Sequence, residues 1–233
     1  MDLKQNKMNK IEAVIFDMDG VIIDSEPLWK IAIINVMKKE GFDFTIDMCN
    51  RTKGMRMDEV AIYWKTELKA SFDPKILANN VVVELINLVK TSGLAMNGLI
   101  ELLDYIKTKN YKIALASSSS MQIINTVLDK LKIRQYFKVV HSAETEDFGK
   151  PHPQVFISTA TMLGISPKEA KDYITQYFTR FHKVRSFLDS LKEVCEETGY
   201  AETLFGRRRY IKDINSTNRQ VKSMAERMAI NSP

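Results

Sequence analysis

Two aspartates two positions apart, Asp17 and Asp19, close the apolar run Glu12-Ala-Val-Ile-Phe16 and are followed at once by Gly20. A run of four serines, Ser117 to Ser120, closes a second apolar run, and Lys150 stands in Gly-Lys-Pro-His-Pro after a third. Paired carboxyl groups can act as nucleophile and as proton carrier. Hydroxyls and an ammonium group donate to anionic oxygens. Cleavage of an inert phosphate monoester needs this combination: a nucleophile, charge neutralisation at the equatorial oxygens and a proton for the leaving group.

The elements that must position these residues are legible around them. IEAVIF, YKIALA and FKVVHS are short apolar runs of the kind found in buried strands. Asn97-Gly98 opens a helix through LIELLDYIKTKN, MQIINTVLDKLKI follows the serines, and a third helix is expected from about Gln154 to Leu163. Strands alternating with helices at this spacing predict right-handed crossovers and a parallel sheet. Ligands of such sheets bind at the carboxyl ends of the strands, which brings Asp17, Asp19, Ser117 and Lys150 to one crevice. Between the first and second strands, LWKIAIINVMKKEG ending on Gly41, then MDEVAIYWKTELKA and NNVVVELINLVKTSG, form a helical insertion from about Pro27 to Met96.

FDMDGVIIDSE, LASSSS and GKPHP, in that order, resemble the haloacid dehalogenase-like superfamily, in the branch of sugar-phosphate phosphatases related to β-phosphoglucomutase and the hexitol phosphatases. The resemblance covers about residues 10–167. It implies a core of residues 1–26 and 97–167 with a cap at 27–96, and a small phosphorylated sugar or sugar alcohol as substrate. By the same resemblance, Asp17 attacks phosphorus to give an aspartyl-phosphate, and Asp19 protonates the leaving alcohol and then activates water. Ser117, Ser118 and Lys150 hold the phosphoryl oxygens. A Mg2+ ion is held by the Asp17 carboxylate and the Asp19 backbone carbonyl, while Trp29, Gly54 and Arg56 of the cap approach the sugar. His141 and His152 are taken as structural or surface residues.

After Leu-Gly-Ile-Ser-Pro167 the pattern breaks. The family continues into a fourth strand whose acidic pair completes the metal site; equal spacing puts that pair near Ile174 to Gln176, where no carboxylate stands, and Asp172 lies in a helical pattern. Weakened metal binding, impaired turnover and an uncovered edge on the first strand are expected. Residues 171–233 instead show a single helical stripe from Tyr173 to Val194 closed by Gly199, a hairpin around Phe205-Gly206-Arg207, and a last basic helix capped by Ser216 or Thr217. With 12 Lys+Arg against 8 Asp+Glu, this part carries most of the net charge of +5. A polyanion partner is implied for that segment alone.

TLFGRRRY and AERMAIN within it resemble the polymerase domain of bacterial family A DNA polymerases. The resemblance implies that Arg207, Arg208 and Arg209 lie near a nucleic-acid backbone and that Arg227 and Asn231 reach a minor groove. The nucleotide-gripping helix and the catalytic aspartates of that family have no counterpart here, so no polymerisation is expected. The alternatives to an impaired phosphatase are a DNA-binding fragment and a hybrid chain with no joint activity.

The composition allows one ordinary domain and a smaller one, since 45% of the 233 residues are apolar. Two distant cysteines, Cys49 and Cys195, give neither a disulfide framework nor a zinc motif. No apolar segment is long enough for a membrane span, and a reducing, cytoplasmic setting is expected. The fold predicted is α/β: an incomplete Rossmann-like parallel sheet with a helical cap insertion, followed by a mostly helical segment with a short hairpin.

Overall fold

The computed structural model describes residues 11–52, 55–147, 150, 152–203 and 205–232. Its elements in chain order are β1 (Ala13–Phe16), α1 (Glu26–Lys39), α2 (Ile46–Arg51), α3 (Met57–Glu67), α4 (Pro74–Ser92), α5 (Leu99–Thr108), β2 (Lys112–Ser117), α6 (Met121–Leu131), β3 (Val139–Ser142), α7 (Gln154–Met162), α8 (Pro167–Arg180), α9 (His182–Thr198), β4 (Tyr200–Glu202), β5 (Arg208–Tyr210) and α10 (Arg219–Ile230). They divide into two compact units, one of residues 1–26 and 89–171, the other of residues 27–88 and 172–233.

The first unit is an α/β layer built on a parallel sheet in the order β1-β2-β3. The middle strand reads Lys-Ile-Ala-Leu-Ala-Ser and is buried from Ile113 through Ser117, as a strand covered on both faces must be. On α6, Ile123, Ile124, Val127 and Leu128 recur at helical spacing and are all buried; α5 does the same with Leu99, Leu103 and Ile106. Among the described residues β1 pairs with β2 alone. The Lys112 amide donates to the Glu12 carbonyl at 3.0 Å and Ala13 stands opposite Lys112. In a parallel ladder this register turns the amides of Val14 and Phe16 toward β2 and those of Ala13 and Ile15 toward the open edge. The fourth strand that the family pattern requires is replaced by α8, a helix throughout its length.

The second unit brings the insertion and the C-terminal segment together. In the insertion the rings of Phe44 and Trp64 meet edge-on with centroids 4.9 Å apart. The C-terminal segment has a core of its own, in which Cys195, Ala201, Ile211, Ile214, Ala225 and Ala229 are buried, and Met55 of the insertion packs against it. Both cysteines are buried and free, and burial raises both thiol pKa values. Two sequence expectations need correction here. The stripe from Tyr173 to Val194 is two helices, because the backbone leaves helical geometry at Phe181 and the Val184 amide turns back to the Phe181 carbonyl. Helix α10 starts after Asn218, whose side chain accepts from the Val221 amide at 3.4 Å, while Ser216 instead accepts from the Asn218 amide at 3.2 Å. No helix among the described residues is long and apolar enough to cross a membrane.

Candidate active site

The site is assembled where β1 and β2 end, within the first unit. Phe16 and Met18 are buried on one side of the chain, and side chains alternate along an extended segment, so Asp17 and Asp19 share the other side. Gly20, at φ 74°, turns the chain back, a conformation that a residue with a Cβ adopts only under strain. The Gly20 amide then donates to the Ile23 carbonyl at 2.9 Å and the Ile22 amide to the Met18 carbonyl at 2.8 Å, closing the loop that carries both carboxyl groups.

The two aspartates have different surroundings. Three hydroxyls converge on the Asp19 carboxylate: Ser25 donates to Oδ1 at 2.5 Å, and Ser119 and Ser117 donate to Oδ2 at 3.0 and 3.5 Å. Asp17 Oδ1 accepts from the Met18 amide at 2.7 Å and lies 2.6 Å from the Lys150 ammonium. The Asp17 side chain is 39% exposed, so it remains approachable from solvent. Lys150 also donates to the Ala116 carbonyl at 3.3 Å, with its ammonium 4.9 Å from the centre of the Phe156 ring on α7. The lysine thus faces Asp17, while the hydroxyls hold Asp19.

The serine turn is braced from behind. Ser142, at the end of β3, donates to the Ser119 carbonyl at 2.7 Å, and Glu144 accepts from the Met121 amide at the start of α6. Nearby, Glu146 is bonded to His141 at 2.5 Å. That bond, chiefly, and further bonds from Ser158 and Gln154 hold the Glu146 carboxyl below the usual glutamate range against the effect of burial.

Of the residues expected from the sequence, the structure brings Asp17, Asp19, Ser117 and Lys150 together. Ser118 is exposed, whereas Ser119 reaches Asp19. Trp29, on α1, is half-buried and Arg56, ahead of α3, is exposed with an ion pair to Asp58 at 3.3 Å; both belong to the second unit. Gly54 lies outside the described residues. Among the expected nucleic-acid residues, Arg207 is exposed on the hairpin turn, and Arg208 pairs with Glu202 at 2.6 Å and covers the Tyr200 ring. Arg209 donates to the Arg51 carbonyl at 2.7 Å, and burial lowers its pKa. Arg227 pairs with Glu59, and Asn231 donates to the Arg227 carbonyl at 2.9 Å. Sequence reasoning missed Ser25, Ser119 and Phe156; the DSE triplet and the serine run held the first two, and only the i+6 spacing from Lys150 could have flagged the third.

A divalent cation would find few ligands. Among the described residues no three His, Cys, Asp or Glu side chains are gathered as a metal site. Magnesium is commonly held by one or two carboxylates, the rest of its octahedron coming from substrate oxygens and water. Asp17 and the main chain at Asp19 meet that minimum, so the donor set fits a loosely held, hydrated magnesium ion.

A haloacid dehalogenase-like hydrolase family model matches residues 14–174. The chain belongs to this family. Hexitol phosphatase B of Escherichia coli K12 is 34% identical over 160 residues, which are 68% of this chain and 72% of that enzyme. The solved β-phosphoglucomutase of Clostridium difficile superposes with a TM-score of 0.57 at 27% identity, over 69% of this chain and 74% of that one. A second model, DNA polymerase family A, matches residues 148–233. DNA polymerase I of Caldicellulosiruptor bescii is 43% identical over 91 residues, 39% of this chain but 11% of the polymerase. The chain thus spans about a tenth of the polymerases it resembles, and both family models claim residues 148–174.

Proposed function

We propose that the chain is a magnesium-dependent phosphatase of small sugar or sugar-alcohol phosphates, with turnover reduced by its shortened metal site. The observation that carries this reading is the pairing of an approachable Asp17 with Lys150 beside an Asp19 held by three hydroxyls. Asp17 attacks phosphorus and carries the phosphoryl group as an acyl phosphate. Asp19, oriented by Ser25 and Ser119, gives its proton to the leaving alcohol and later takes one from the attacking water. Ser117 and Lys150 donate to the phosphoryl oxygens, with Ser118 at the open side of the turn. Magnesium, held by the Asp17 carboxylate and the Asp19 carbonyl, would neutralise charge between nucleophile and phosphate. Trp29, Gly54 and Arg56 are the proposed sugar-facing residues of a cap domain, and the setting is a reducing cytoplasm.

The reduction follows from charge. A bound phosphate brings negative charge to a site that offers one lysine and a loosely held cation, so each phosphoryl oxygen is less well neutralised than where a further acidic pair grips the metal. The test is hydrolysis of a hexitol phosphate and of p-nitrophenyl phosphate against magnesium concentration. A slow rate that keeps climbing through millimolar magnesium and vanishes in Asp17→Asn is expected. A rate unchanged in Asp17→Asn, or saturation at micromolar magnesium, would sink the proposal.

The second reading, a nucleic-acid-binding segment carried in a hybrid chain, is favoured by the exposed Arg207 and by the resemblance of residues 148–233 to polymerases. Of the five residues it names, Arg208, Arg209, Arg227 and Asn231 are engaged inside the second unit. Binding of a primer-template through Arg207 and Arg208 would be weak and steeply salt-dependent. Retention of that binding in an Arg207→Ala/Arg208→Ala variant would refute it.

A further inference from the structure

The three groups that touch the Lys150 ammonium, Asp17, the Ala116 carbonyl and the Phe156 ring, aim the end of a long side chain. None of them fixes the backbone that carries it. Lys150 follows β3, which ends at Ser142, and precedes α7, which begins at Gln154, and the half-buried Glu146 carboxylate lies between the two elements. Glu146, 12% exposed, accepts from His141 Nε2 at 2.5 Å on the strand side. On the helix side the Ser158 and Gln154 side chains of α7 help to lower the pKa of its carboxyl, and Gln154 Nε2 donates to Ser158 Oγ at 3.2 Å. The same helix presents Phe156 beneath the lysine, so the clamp that closes the loop also sets its platform. A carboxylate held by an imidazole makes a charge-assisted bond about twice as strong as a neutral one.

We propose that Glu146 is a positioning residue for the phosphate-binding lysine: through His141, Ser158 and Gln154 it locks β3 to α7 and so holds Lys150 against Asp17. The inference rests on the reading of Lys150 as a phosphate ligand. Glu146 touches no reacting group, and its effect passes entirely through the lysine.

The experiment is trace acetylation of the folded chain followed by mass spectrometry, comparing Lys150 with Lys112, whose ammonium donates to the Leu163 carbonyl at 3.0 Å in the same unit. In Glu146→Ala the labelling of Lys150 relative to Lys112 should rise roughly tenfold, the equivalent of one charge-assisted hydrogen bond. Glu146→Gln, which keeps an acceptor oxygen, should restore most of the protection. Ser158→Ala removes a single donor at the clamp and should give roughly a twofold to threefold rise, which keeps the test open if Glu146→Ala does not fold. Unchanged Lys150 labelling in both variants, or a parallel rise at Lys112, overturns the proposal. Inorganic phosphate added to the wild-type chain separates the two readings: if it fails to protect Lys150, the phosphate-ligand reading falls, while the Glu146 effect is still read directly from the unliganded variants.

Discussion

If the insertion and the C-terminal segment truly form one unit, breaking the ion pair between Glu59 on α3 and Arg227 on α10 must cost folding energy. The two side chains are 24% and 14% exposed, and the second Glu59 oxygen accepts from the Arg56 amide at 2.8 Å. At an effective dielectric near 20 a contact pair is worth roughly 5 kcal/mol gross, from which the cost of desolvating both charges is taken. Exposed pairs net about 0–1 kcal/mol, and breaking a fully buried pair costs about 3–5 kcal/mol. This pair lies between, so a coupling of about 2 kcal/mol is expected, roughly a thirtyfold change in an equilibrium constant. The measurement is a double-mutant cycle over Glu59→Gln, Arg227→Met and the double variant in urea, followed by tryptophan fluorescence. Both tryptophans of the chain, Trp29 and Trp64, belong to this unit, so the signal reports on it selectively. A coupling below about 0.5 kcal/mol would refute the shared unit, since packing without energetic coupling is what two merely adjacent segments give.

Three further outcomes follow from the first unit. Phe156→Leu removes the ring beneath Lys150 and should raise KM for a phosphate ester about two- to fivefold, the value of a partly exposed cation–π contact; an unchanged KM would show the ring to be idle. Proline at Ala13, whose amide faces the open edge, should be tolerated, whereas proline at Val14 removes a ladder bond to β2 and should cost about 1–3 kcal/mol, compared by circular dichroism melts. Equal losses would overturn the register. Because the His141 bond, first among its causes, lowers the Glu146 carboxyl, the stability it provides is complete above the ordinary value of about 4.3 and is lost as pH falls through the depressed folded value. Glu146→Gln should therefore flatten the acid limb of a pH–melting curve, and an unaltered limb would contradict the assignment.

The features legible in the sequence were those decided locally. Apolar runs ending in Asp17, Ser117 and a lysine loop specify strands and what their ends carry, because burial on both faces of a parallel sheet demands continuous apolar residues. Which hydroxyl of the serine run meets Asp19 was not legible: it depends on a turn braced by Ser142 and Glu144, residues more than twenty positions away. The break at Phe181 carries no glycine or proline to announce it. The packing of Met55 from the insertion against the core of the C-terminal segment was equally hidden, since two amphipathic surfaces each state that they need a partner and neither states which.

The short connection between α7 and α8 shows how one helix can follow another within a few residues. Gly164, at φ 88°, ends one helix, and Ser166 opens the next by donating its hydroxyl to Glu169 at 2.8 Å while the Ser166 amide donates to the same carboxylate at 3.1 Å. These bonds close within six residues, while the Lys112 ammonium on the Leu163 carbonyl anchors the upstream end to the sheet. It behaves as a starter thread: the Ser-x-x-Glu box begins the downstream helix with bonds among its own four residues.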